Sequence, residues 1–206
     1  MFDLIIKNGS IYDGKGSKPY QADVAISNEK IVEIGDIKGE AKKVIDAEGK
    51  IVTPGFVDIH THYDGQVTWD PYLRPSTYHG VTTVVMGNCG VGFSPCKPDQ
   101  RDWLIGLMEG VEDIPGTALH EGIDWEWESF PEYLDALEKK PLAIDVGTQI
   151  PHGAVRAYVM GERGINHEEA SQEEIDRMKE IVQEAIKAGA FGFSTSRTCL
   201  LYTSDA

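Results

Sequence analysis

The sequence predicts an α/β fold with a parallel sheet, preceded by a small β-rich module. Three observations carry that expectation. Residues 1–54 hold short Val- and Ile-containing runs separated by turn formers. From Ile51 onward, four apolar strand-like runs alternate with helical patterns. The longest helical pattern carries a start and a stop signal.

In the first module the strand candidates are "FDLIIKNG", "ADVAISN", "KIVEIGD" and "KKVIDAEGK". Asn8-Gly9, Asp13-Gly14, Ser27-Asn28 and Glu48-Gly49 punctuate them. No helical period fits there. The pattern changes at Ile51. "FVDIHTH" reads as a continuous strand with both faces covered. Val81–Asn88, Pro141–Gln149 and Ala190–Ser196 read as three more strands. Between them, Trp103, Leu104, Leu107, Met108 and Val111 fall at helical spacing. Ser129 and Glu132 form a capping-box pair ahead of Tyr133, Leu134 and Leu137. Ser171 and Glu174 form another, ahead of the stripe Ile175, Met178, Ile181, Val182, Ala185 and Ile186, and Gly189 is the stop.

The 206 residues carry 19 Lys plus Arg against 34 Asp plus Glu, a net charge of −15. That balance argues against a nucleic-acid or anionic-membrane partner, which needs a basic face. No apolar run reaches the length of a membrane span, and "MFDLIIKNGS" has no signal-peptide pattern, so a cytoplasmic setting is expected. Three cysteines in such a chain point to reduced thiols rather than a disulfide framework.

Chemistry concentrates at strand ends. His60 and His62 are two apart, so along a strand both imidazoles point the same way, which suits a divalent metal. Asp64 and Gly65 follow them. Cys89 ends the second strand among Gly87, Gly90 and Gly92, on the same rim by strand order. It is either a third, thiolate ligand or a small buried hydrophobe. His152 follows the third strand. With Arg156 it is a candidate contact for an anionic substrate group, the alternative being a turn histidine and a surface arginine. Ser194–Arg197 closes the fourth strand with polar residues suited to lining a pocket. The two Trp of "DWEWESF" are expected to pack rather than to form a lid, Cys96 is given no role, and His79 a structural one. His120 and His167 are expected to be solvated in polar loops.

"GFVDIHTHYDG", "GVTTVVMGNCGVG" and "GAFGFSTSR" together resemble the amidohydrolase superfamily, and Asn88-Cys89-Gly90 resembles its N-acyl-D-amino-acid deacylase branch. The resemblance covers residues 1 to about 198. It implies the first half of a TIM (β/α)8 barrel, about four βα units over residues 55–198, after a β-sandwich module over 1–54. It also implies one or two zinc ions held by His60, His62 and Cys89, and hydrolysis of a small-molecule N-acyl amino acid. Family members draw two further histidines and a catalytic aspartate from later strands, beyond the end of this chain. By that resemblance the chain is an N-terminal fragment, inactive alone, and "CLLYTSDA" (199–206) is a non-native or truncated tail. The alternatives are a cyclic-amide hydrolase of the dihydroorotase or hydantoinase kind, or a non-catalytic metal-binding domain.

Overall fold

The computed structural model describes residues 1–195. The expected tail, Cys199 and the end of the Ser194–Arg197 segment lie outside the described residues. The chain divides into two compact units, Met1–Gly55 and Phe56 onward.

The first unit is one sheet. Strand β1 (Phe2–Ile11) pairs antiparallel with β2 (Tyr20–Ser27), and β2 pairs antiparallel with β3 (Lys30–Gly35). On its other side β1 pairs parallel with β4 (Ala41–Asp46) and β5 (Ile51–Val52). Asn28 and Glu29 both take positive φ, 49° and 62°, the turn whose twist suits a two-residue hairpin. Ile5, Ala25 and Ile37 form the small core. Ile31, Val32, Ile34, Val44 and Ile45 remain exposed. The β-rich reading therefore matches one sheet; a second sheet packed on it is not seen among the described residues.

The second unit is mixed α/β. Its first strand, β6 (Phe56–Asp58), runs parallel to β7 (Val81–Met86), which runs parallel to β8 (Asp145–Thr148). Past Gln149 the third strand resumes as β9 (Ile150–Pro151), paired parallel with β10 (Phe193–Ser194). Backbone bonds from Gln149 N–H to the Met86 carbonyl (3.0 Å) and from Phe191 N–H to the Thr148 carbonyl (2.8 Å) join the ladders. The four strands thus lie side by side in chain order. Helices α1 (Arg101–Glu112), α2 (Gly116–Gly122) and α3 (Phe130–Glu138) connect the second strand to the third. Helices α4 (His152–Met160), α5 (Glu162–Ile165) and α6 (Gln172–Ala188) connect the third to the fourth.

One core holds these elements. Val84, Met86 and Ile150 come from the strands; Leu104, Met108, Phe130, Tyr133, Val155 and Ile181 come from the helices. Both expected capping boxes form, at Ser129/Glu132 and Ser171/Glu174. On α6 the exposed pairs Arg177–Glu180 and Lys179–Asp176 add little, because solvent screens charges this exposed. Fully burying one aliphatic side chain is worth roughly 1.5–3 kcal/mol. Ile181 and Ala185, buried on the inner face, therefore anchor the helix more than its ion pairs do.

Four expectations need correction. The first strand ends at Asp58, before the histidines, and its faces are not covered: Phe56 is 58% and Val57 59% exposed. β6 has a partner on one side only among the described residues, so nothing closes over it. The third strand starts at Asp145, after Pro141 has broken the ladder, and is interrupted at Gln149. His120 lies on α2, a helix too short for its period to be read, although its side chain is exposed as expected. His152 opens α4 rather than sitting in a turn; Pro151 directly before it is a helix-start signal passed over. Trp127 packs as expected, its indole N–H donating to the Phe93 carbonyl at 2.8 Å.

Replacing Ser171 with Ala removes the side chain that caps the Glu174 N–H at 3.2 Å. The expected loss is about 1 kcal/mol in urea unfolding, and an unchanged midpoint would show that α6 does not depend on its cap.

Candidate metal centre

The centre begins with the turn that follows β7. Gly87, Cys89 and Gly90 all have positive φ, at 73°, 56° and 73°. A Cβ on Gly87 would run into the carbonyl of Gln149, so this position excludes any side chain. Cys89 has a left-handed backbone without being glycine, which a non-glycine residue adopts only when its surroundings hold it there.

Those surroundings are explicit. Ser194 Oγ accepts from Gly90 N–H at 3.1 Å and donates to the Gly87 carbonyl. The buried Asn88 amide donates to the carbonyls of Thr61 (3.2 Å) and Val85 (2.9 Å), and its oxygen accepts from Gln149 Nε2 at 2.8 Å. All four strands of the second unit are tied into one turn.

The same ties place the histidines. Thr61 N–H and its hydroxyl both donate to the Val85 carbonyl, at 3.0 and 2.9 Å. The segment beyond β6 therefore stays against β7, and residues 60 and 62 flank Thr61 on its other side. Their ring centroids are 5.4 Å apart. His60 Nε2 lies 3.1 Å from Cys89 Sγ. One donor atom from each of His60, His62 and Cys89 lies within 4.8 Å of the others.

Burial shapes the electrostatics. It pushes His62 down to about 4, assisted by neighbouring His60, so the ring is neutral at ordinary pH. Burial, then Glu112, raises the Cys89 thiol. Asp64 is buried and pushed up to about 7, against the lowering effect of the backbone amides of Asp64 and Gly87. The Tyr133 hydroxyl donates to the Asp64 carbonyl at 2.9 Å, fixing the loop after the histidines. Glu112 Oε1 sits 3.2 Å from His62 Nε2. Burial raises the Glu112 carboxyl; because the His62 imidazole is neutral, this contact is a hydrogen bond rather than an ion pair.

A divalent cation fits this set. Two imidazoles and a thiol are the ligand types zinc takes. His62 Nδ1 is buried with no hydrogen-bond partner among the described residues.

The second pair of expected residues is placed differently. A cavity of about 540 Å³ adjoins the cluster, lined by Cys89, Val91, Trp103, Leu107, His152 and Arg156 among others. His152 Nδ1 meets Thr195 Oγ1 at 3.2 Å, and burial, then Arg156, lowers its pKa. The Arg156 guanidinium is engaged by backbone carbonyls, with Nε donating to Gly164 at 3.2 Å and Nη2 donating to Glu168. It lines the cavity while fastening the segment after α5. Cys96 is buried in the core, burial pushing its thiol up to about 12.

Sequence reasoning passed over Glu112, Gln149 and the tying role of Ser194. Glu112 carries no local signal, being an acid at a helix end 50 positions after His62. Ser194 was legible as a rim residue, but not as the group that fastens the cysteine turn.

The unit is a parallel α/β fold that brings a His-x-His pair and a cysteine together beyond neighbouring strands, and residues 43–205 match the model of the amidohydrolase family. The chain belongs to that family. It is 34% identical to a D-aminoacylase of Alcaligenes xylosoxydans xylosoxydans over 195 residues, 94% of this chain and 37% of that one. It is also 34% identical to an N-acyl-D-aspartate deacylase of the same organism, over 94% of this chain and 36% of the other. Among solved structures, the N-acyl-D-glutamate deacylase of Bordetella bronchiseptica superposes with a TM-score of 0.78 at 32% identity, over 94% of this chain and 38% of that one. The chain spans somewhat over a third of the length of the relatives it matches.

Two outcomes follow from the geometry. Ser194→Ala leaves the Gly87 carbonyl and the Gly90 N–H unpartnered; a loss of about 1–3 kcal/mol is expected in denaturant unfolding, with weakened zinc binding although Cys89 is intact. Unchanged zinc affinity would show that the turn holds itself. The second concerns pH. Metal uptake must displace the thiol proton, whereas His62 is already neutral above about pH 4. Apparent zinc affinity should rise with pH across the neutral range, by up to about tenfold per unit for one displaced proton. Cys89→Ala should flatten that slope in competition titrations; an identical slope would remove the thiol from the ligand set.

Proposed function

We propose that this chain carries the zinc-binding part of an amidohydrolase that deacylates N-acyl-D-amino acids. The observation that carries the reading is the convergence of His60, His62 and Cys89 on one point beside a cavity. Family membership and the names of the relatives support it: a D-aminoacylase, and deacylases of N-acyl-D-aspartate and N-acyl-D-glutamate. The Bordetella structure holds zinc and a phosphonate that mimics the tetrahedral intermediate, and a D-aminoacylase structure is described as having a binuclear metal centre. We place the chain as the first four strand units of a barrel, with the first unit's sheet as part of a sandwich. The parallel chain-order arrangement of its four strands is consistent with that.

In this reading His60, His62 and Cys89 hold the metal. Zinc, when bound there, supplies Lewis-acid activation of an amide carbonyl and of water. The chain's other residues set the stage for it. Ser194 and Asn88 keep the thiol aimed at the imidazoles. Tyr133 and the core keep water from the loop that carries Asp64. The cavity beside Cys89 receives the substrate, with His152 at its wall. Arg156 shapes that wall more than it offers a free cation, because its donors are engaged.

The test is an assay of the whole protein on N-acetyl-D-amino acids, their L-isomers, hydantoin and dihydrouracil. Chelator-sensitive release of free D-amino acid is expected, with no ring opening of the cyclic amides. His60→Ala and Cys89→Ala should each weaken zinc binding, so that both are isolated with less than stoichiometric metal. Zinc retained at full stoichiometry by both variants would contradict the ligand set, and preferential turnover of the cyclic amides would move the function to that branch.

A further inference from the structure

We propose that Gln149 is a positioning residue for the metal centre: it donates to the Asn88 side chain and so fixes which way that amide faces. Through the amide it holds the histidine segment and the cysteine turn at one spacing. The inference rests on reading His60, His62 and Cys89 as a metal site.

Asn88 is 6% exposed. One end of its amide faces the Thr61 and Val85 carbonyls, at 3.2 and 2.9 Å. Backbone carbonyls only accept, so that end is the NH2 group. The other end is then the oxygen, and it needs a donor. Gln149 Nε2 supplies one at 2.8 Å. The direction of the relay is therefore set: Gln149 donates to Asn88, and Asn88 donates to both carbonyls. Turned over, the Asn88 amide would set its oxygen against two carbonyl oxygens in a buried place, with no hydrogen bond at that end.

Position in the sequence makes this amide a spacer for the ligands. Thr61 lies between His60 and His62, and Asn88 directly precedes Cys89. One side chain thus joins the backbone of the histidine pair to the residue beside the thiol. Gln149 is itself held where β8 gives way to β9. Its N–H donates to the Met86 carbonyl at 3.0 Å, and its own carbonyl fills the space that a side chain at Gly87 would need. The third strand therefore delivers a fixed donor to the amide that spaces the other two segments. Without that donor the segments drift, and apparent metal affinity falls by the fraction of molecules left in the binding geometry.

The test compares the unaltered metal-free chain with Gln149→Met and Gln149→Glu, with zinc as the probe in competition against a chromophoric chelator. Methionine keeps the length of the side chain and removes the donor. Glutamate keeps the shape and reverses the polarity, because its carboxylate only accepts. Gln149→Met should bind zinc about fivefold more weakly, the scale of one lost hydrogen bond. Gln149→Glu should also bind more weakly. Its sign is the discriminating readout, since a negative charge set near a cation would by attraction alone tighten binding. In an Asn88→Ala chain, Gln149→Met should cost nothing further, because its effect passes through that amide. Circular dichroism shows that each variant is folded. Position 149 is half-buried, and if Asn88→Ala does not fold, the two Gln149 variants decide alone. A loss below about threefold in Gln149→Met, zinc bound by Gln149→Glu at least as tightly as by the unaltered chain, or an undiminished loss in folded Asn88→Ala overturns the inference and leaves the metal centre standing. If the unaltered chain binds no zinc, the metal-centre reading fails and the inference falls with it.

Discussion

The organisation of the second unit depends on a left-handed turn that the rest of the unit holds in place. Gly87 and Gly90 take positive φ freely, but Cys89 between them could not keep it on its own account. Ser194 from the fourth strand, Gln149 from the third and the Thr61 carbonyl beyond the first each make a polar contact to that turn. The turn in turn gives each of those strand ends a fixed neighbour. The convergence of His60, His62 and Cys89 follows from this mutual restraint, with residues from four strands fastened to one loop.

Polar contacts of this kind matter more inside than on the surface. Asn88 and Ser194 are both buried, so losing a partner would leave a desolvated group unpaired. The exposed ion pairs of α6 carry no comparable penalty. Burial also keeps His62 neutral and Asp64 largely protonated below about pH 7. In the reading proposed above, a cation completes a donor set in which His62 and Cys89 are partly buried and His60 is exposed.

The sequence made visible whatever is local. The His-x-His spacing, the capping boxes at Ser129 and Ser171, and the apolar stripes of α1, α3 and α6 are all short-range patterns, and each reappears in the structure, with Ile175 and Ile186 of the α6 stripe left exposed. Cys89 was legible as a strand-end thiol among glycines, and the family resemblance gave it a partner. What escaped was non-local or too short for a period. Ser194 reaches Gly90 across 104 positions, and Gln149 reaches Asn88 across 61. Such contacts depend on strand order and register, which residue patterns leave open. Helix α2 spans only seven residues and gives too few repeats to read. Coverage of β6 was misjudged because an apolar run reports the need for burial, not whether a neighbour meets it.

The central claim is that the turn after β7 aims the Cys89 sulfur at the place where the two imidazoles meet. X-ray absorption at the zinc edge, on the chain loaded with one equivalent of zinc, reads the ligands directly. One sulfur scatterer together with imidazole shells is the result this account requires. A first shell of nitrogen and oxygen alone would show that the thiol serves the core instead, and the account would fail at its first step.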